Sequence, residues 1–83
     1  MDRKEIKKFF RLGNKEIIKE GIDKINLTDE EKEIVKHLIK EDSDNKIAME
    51  LNYSLRTLQR RKKRIYDKTY NALKDWDKLK TLM

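Results

Sequence analysis

Residues 44–65, DNKIAMELNYSLRTLQRRKKRI, constrain this chain more than any other stretch. A short helix from about Asn45 to Leu51 is expected, with Ile47, Ala48 and Leu51 inward at helical spacing. Asn52 suits a left-handed helix end, because Asn tolerates positive φ better than most residues. Ser54 then offers a hydroxyl cap to a helix dense in Arg and Lys. Two helices joined by so short a turn must cross at close range. Ala48 supplies the small side chain for the crossing, while Ile47, Leu51, Tyr53 and Leu58 pin the pair.

The remainder reads as further short helices. From Asp2, near a cap, to Leu12, residues Ile6, Phe9 and Phe10 share one face, with Leu12 nearby. Gly13-Asn14 reads as a stop followed by a cap. Ile17, Ile18, Ile22 and Ile25 mark a second helical stretch, which Gly21 weakens or ends. Residues 2–25 are therefore two short helices or one bent one. Thr28 and Glu31 form a capping box, with Leu27 as staple and three acidic residues in the first turn suiting the helix dipole. That helix runs to about Lys40, with Ile34, Val35, Leu38 and Ile39 inward. After Ser54 the core face is Leu58, Ile65, Thr69 and Leu73, with the stem of Arg61 or Lys62 filling the missing turn. No Gly or Pro follows residue 54, so this helix runs unbroken to about Leu82 or bends near Thr69–Asn71. The fold class expected is all-α: a single domain over 1–83, a small bundle of 4–6 helices with a long helix toward the C-terminus.

Charge is distributed unevenly. Residues 54–83 hold ten Lys/Arg against three Asp, a net +7, whereas residues 1–53 hold twelve against thirteen Asp/Glu, a net −1. A one-sided basic block is the footprint of a polyanion binder. Without Cys there is neither a disulfide framework nor a Cys-bound metal, and no apolar run approaches the ~18 residues of a membrane span. With no signal-like apolar segment after MDRKEIKK, a cytoplasmic protein is expected. The excess of Lys, Ile and Asn suits an AT-rich genome, as in low-GC bacteria and their phages. His37 is the only His, so a surface or hydrogen-bonded role is expected for it rather than metal ligation. No nucleophile–base pair, phosphate loop or metal motif is visible; neither enzyme activity nor a cofactor is expected.

The pattern around Asn52 is that of a helix-turn-helix, whose first helix crosses the DNA backbone and whose second lies in the major groove. Arg can bond guanine O6 and N7 together, and Gln can do the same for adenine N6 and N7. Arg56, Gln59, Arg60 and Lys63 are accordingly the expected base contacts. Ser54, Thr57, Arg61, Lys62, Arg64 and Lys68 are expected at phosphates, and Asn45 and Lys46 at another phosphate beside the amides of the preceding helix start. Leu55, off the core pattern, is placed to touch a thymine methyl.

Residues 27–68, LTDEEKEIVKHLIKEDSDNKIAMELNYSLRTLQRRKKRIYDK, resemble the DNA-binding domain of the LuxR/GerE regulators and are similar to region 4 of bacterial sigma factors. The resemblance rests on Leu27, Thr28, Glu31, Ile34, Val35 and Leu38, then Asn45, Lys46, Ile47, Ala48, Leu51, Ser54, Thr57, Leu58, Ile65 and Lys68. The LuxR-like pattern usually has Gly before the scaffold helix and Ile or Leu in the turn; here Asp42-Ser43 and Tyr53 stand there. Arg61 stands where LuxR-like proteins often have His and extracytoplasmic-function sigma factors often have Arg. The Arg-rich helix is also similar to small phage transcription activators of sigma-like ancestry. Nothing in these residues resembles a promoter-melting region or a receiver domain.

The resemblance implies a transcription regulator of double-stranded DNA. The alternative is a sigma-like adaptor that binds RNA polymerase, through residues 1–25, and a promoter element. Leu73, Trp76, Leu79 and Leu82 form an apolar stripe over 69–83, which in the LuxR/GerE pattern makes a homodimer contact; otherwise it packs back on residues 1–25. A basic helix lying on an anionic membrane is disfavoured by the excess of Arg/Lys over apolar residues in 56–68.

Overall fold

The computed structural model describes residues 3–82, and side chains from 5 to 79. Six α-helices follow in order: α1 (Arg3–Phe9), α2 (Lys15–Asp23), α3 (Asp29–Ile39), α4 (Asp44–Leu51), α5 (Leu55–Leu73) and α6 (Asp77–Leu82). Among the described residues there is no strand. The chain is thus all-α, and its radius of gyration of 12.4 Å is close to the ~12 Å of a compact chain of this length.

Side chains set most of the helix starts. Asn14 Oδ1 accepts from Glu16 N at 3.1 Å and Ile17 N at 3.2 Å. The Thr28 capping box forms in full: Glu31 N donates to Thr28 Oγ1 at 3.2 Å, and Thr28 N donates to Glu31 Oε1 at 2.9 Å. Ser43 caps α4 through Lys46 N, and Ser54 caps α5 through Thr57 N. The expected cap at Asp2 lies outside the described residues.

Two helix ends turn on left-handed residues. Asn52 has φ 58° and ψ 40°, as expected. Glu41, at φ 60°, is the other, and the sequence gives no sign of it. There Glu41 N donates to Leu38 O and Asp42 N to His37 O, a Schellman ending in which Gly or Asn is usual. Gly13, expected to end α1, has no positive φ.

α5 is the axis around which α1, α3 and α4 pack. Its inward row, Leu58, Ile65, Thr69 and Leu73, has no exposed surface. Thr69 is satisfied there by donating its hydroxyl to Ile65 O at 2.7 Å. Ile6, Phe9, Phe10, Ile17, Ile18 and Ile25 are also buried, so the N-terminal helices are core. Phe9 and Phe10 meet edge to face at 5.2 Å, and Phe10 lies 6.2 Å from Tyr66 of α5. α2 runs through Gly21 without breaking. A Cβ there would lie 2.9 Å from Phe9 Cε1 and 3.1 Å from Trp76 Cζ3, so Gly21 serves close packing.

The C-terminal stripe corrects two expectations. α5 stops at Leu73, neither running to Leu82 nor bending near Thr69–Asn71, and α6 folds back. Leu73 and Leu79 have no exposed surface, and Trp76 packs half-buried against the core. Lys78 of α6 pairs with Glu20 of α2 at 2.8 Å, and the Lys24 ammonium lies 5.5 Å from the Trp76 ring centroid. Leu73 and Leu79 are therefore core residues rather than a dimer contact, because they offer a second chain no surface. The side chain of Leu82 lies outside the described residues.

Candidate nucleic-acid interface

α4, the three-residue turn 52–54 and α5 form the expected pair of packed helices. Ile47 and Ala48 are buried at the contact, and Leu51 and Tyr53 pack half-buried beside them. Cross-links between polar side chains fix the pair further. Asp44, in the first turn of α4, accepts from Gln59 Nε2 at 2.5 Å and from Lys62 Nζ at 2.8 Å. The Lys62 bond, reinforced by Gln59, outweighs burial and holds the Asp44 carboxyl below its ordinary range.

The cations of α5 divide into two sets. Arg61, Lys62 and Lys68 are neutralised within the fold. Arg61 Nη1 meets Glu30 at 2.7 Å while its guanidinium covers the Tyr53 ring at 4.8 Å. Lys68 Nζ meets Glu31 at 2.6 Å and also donates to Asn26 O. Burial pushes the Glu31 carboxyl up, but the Lys68 and Thr28 bonds prevail and hold it below the ordinary range. By contrast Arg56, Arg60, Lys63 and Arg64 are exposed and make no ion pair among the described residues. Steps of four and three residues bring Arg56, Arg60 and Lys63 onto one side at ~100° per residue, with Arg64 beside them.

The expected base-contact set is thereby split. Arg56, Arg60 and Lys63 stand together facing solvent, whereas Gln59 is held against Asp44. In the phosphate set Arg64 is unpaired and Lys46 reaches Asp42 at 3.4 Å. Asn45 is exposed, but one of the adjacent amides, that of Lys46, is already taken by Ser43. Ser54 and Thr57 bond one another at 2.9 Å. Leu55 is 49% and Met49 78% exposed, two apolar side chains beside the turn.

A cleft of about 590 Å³ separates the start of α3 from α5, with Asp29, Glu30 and Glu31 facing Arg60, Arg61, Arg64 and Lys68. Its acidic wall opposes anion binding inside the cleft, so the outer strip is the surface open to a polyanion. The acidic partners Glu30, Glu31 and Asp44 were not legible as such. They lie 18 to 37 residues from the cations they meet, and no local spacing marks them.

His37 is hydrogen-bonded, as expected. Its Nδ1 lies 2.8 Å from Asp42 Oδ2 and its Nε2 3.5 Å from Glu50, bridging α3 to α4. The His37 bond, with Lys46 behind it, holds the Asp42 carboxyl below its ordinary range against the opposing effect of burial. Among the described residues no cluster of His, Cys, Asp and Glu could hold a metal ion, and no helix is long and apolar enough to cross a membrane. Compared with protein families, curated proteins and solved structures, the chain finds no match.

Proposed function

We propose that this chain binds double-stranded DNA as a transcription regulator, laying the first three turns of α5 in the major groove. The observation that carries this reading is the division of the α5 cations. Arg61, Lys62 and Lys68 are neutralised by carboxylates of α3 and α4, whereas Arg56, Arg60, Lys63 and Arg64 are exposed and make no ion pair among the described residues, although Arg60 and Arg64 line the cleft to α3. A helix ~10–12 Å across fits a groove ~12 Å wide. Gln59 reads a base only by leaving Asp44, so Arg56 and Arg60 carry the base discrimination and Lys63 and Arg64 reach base edges or phosphates. A second copy adds a second half-site, through a surface other than Leu73 and Leu79.

Selection of bound duplexes from a random library, with affinity followed against salt, tests this. A recovered motif is expected, with a salt slope of about −0.9 per neutralised phosphate. Arg56→Ala or Arg60→Ala should cost about 1–3 kcal/mol and relax one base position. Salt-sensitive binding without a motif, or unchanged preference in both variants, would overturn the reading.

A further inference from the structure

The wall formed by α2 and α3 carries a second surface, and α5 lends it no residue. A groove of about 430 Å³ runs between the two helices, lined by Ile18, Ile22 and Ile39 and by Lys15, Lys19, Lys36 and Lys40. Ile18 is buried and the other two isoleucines are half-buried. Each helix contributes two lysines one turn apart. Lys36 meets the exposed Glu33 at 3.1 Å, and Lys15, Lys19 and Lys40 make no ion pair among the described residues. An apolar trough is thus rimmed on both sides by positive charge, with no carboxylate in its lining.

We propose that this groove docks an acidic amphipathic helix of another protein. The occupant has two apolar side chains one turn apart, seated on Ile18, Ile22 and Ile39. Its Asp or Glu residues flank them and meet the four ammonium groups. Helix-in-groove binding works by such anchors at i and i+4, and a polar rim of opposite charge sets orientation and excludes wrong partners. The shape selects this occupant over other anions. The trough lies between two helices, a shape that takes a third helix rather than a flat bilayer, and a nucleic-acid backbone has no apolar side chains to bury there. Because the groove shares no residue with the outer strip of α5, the chain can hold DNA and this partner together, and the proposal stands or falls independently of the DNA reading.

The test uses the full chain with labelled isoleucine methyl groups. The probe is a synthetic helical peptide carrying two Leu four residues apart among Glu residues; a scrambled peptide of the same composition is the control. Saturable shifts are expected at Ile18, Ile22 and Ile39, with weaker binding of the scrambled peptide. Combined Lys15→Glu, Lys19→Glu, Lys36→Glu and Lys40→Glu should weaken binding about tenfold, each exposed pair contributing a small share. If circular dichroism shows that variant unfolded, the four Lys→Gln changes replace it, again with weaker binding expected. Four results would overturn the proposal: shifts centred on Arg56–Arg64, equal binding of the scrambled peptide, affinity unchanged in a folded variant, or no binding. Equal isoleucine shifts with phosphatidylserine vesicles would assign the groove to a lipid surface instead. Concentration-dependent shifts without peptide would assign it to a second copy of the chain.

Discussion

Glu41 holds a backbone position that costs a side chain with a Cβ about 1–2 kcal/mol. At φ 60° it closes the Schellman ending of α3, and its ion pair to Arg11, 3.6 Å and largely solvated, returns little. Glu41→Gly should raise stability by about 0.5–1 kcal/mol, Gly's greater freedom in the unfolded chain offsetting part of the relief; a thermal melt reads it as an upward shift. Gly21 is the opposite case. Ala is the better helix former by about 1 kcal/mol, but its Cβ would press into the Phe9 ring and against Trp76. Overpacking costs about 1–3 kcal/mol, so Gly21→Ala should lower the urea midpoint despite the gain in propensity. Both positions depend on what surrounds the residue, which its one-letter code does not carry.

At the scale of elements, the joint between α4 and α5 decides whether the outer strip is presented rigidly. Ile47, Ala48 and Leu58 supply the apolar contact, and Asp44 adds the polar clamp to Gln59 and Lys62. Lys62 is well covered, with 16% of its side chain exposed against 36% for Asp44, so solvent screens this pair less than an open surface bridge. A double-mutant cycle of Asp44→Asn and Lys62→Met, read by chemical denaturation, should give a coupling of about 1 kcal/mol. Additive effects would show that packing alone sets the joint. The motif itself was legible, because Ala48, Asn52 and Ser54 each answer a local backbone requirement of a close crossing, a left-handed end and a cap. The clamp was not, since it joins residues 15 and 18 positions apart on different helices.

Over the whole molecule, charge pairing links stability to pH. Glu31 and Asp44 have ordinary values of 4.5 and 3.8, and both are held lower in the fold. A carboxyl depressed on folding adds stability that is complete above its unfolded value and is lost as pH falls through its folded value. Stability should therefore be steady from neutrality to about pH 5 and decline progressively below about pH 4.5. The decline should be shallower in a Lys62→Met, Lys68→Met variant, whose two carboxyls lose their main partners; urea midpoints across that range check it. An equally steep decline would place the acid sensitivity elsewhere, Asp42 with its His37 bond being one candidate. The same pairing shapes the surface, since each of the carboxylates of α3 and α4 that meets α5 neutralises one of its cations.

Most of the helices, the caps and the inward row of α5 were determined by the sequence, because capping chemistry and 3.6-residue periodicity act over a few neighbouring residues. The one-sided positive charge was equally plain, being a property of composition along the chain. Tertiary structure alone decided which cations stay free. Arg61, Lys62 and Lys68 look like Arg56, Arg60, Lys63 and Arg64 in sequence, and only the approach of Glu30, Asp44 and Glu31 separates them. It also decided that Leu73 and Leu79 lie inside the monomer. An apolar stripe specifies that it must be covered, and the turn after Leu73, which lays α6 against α2, specifies by what.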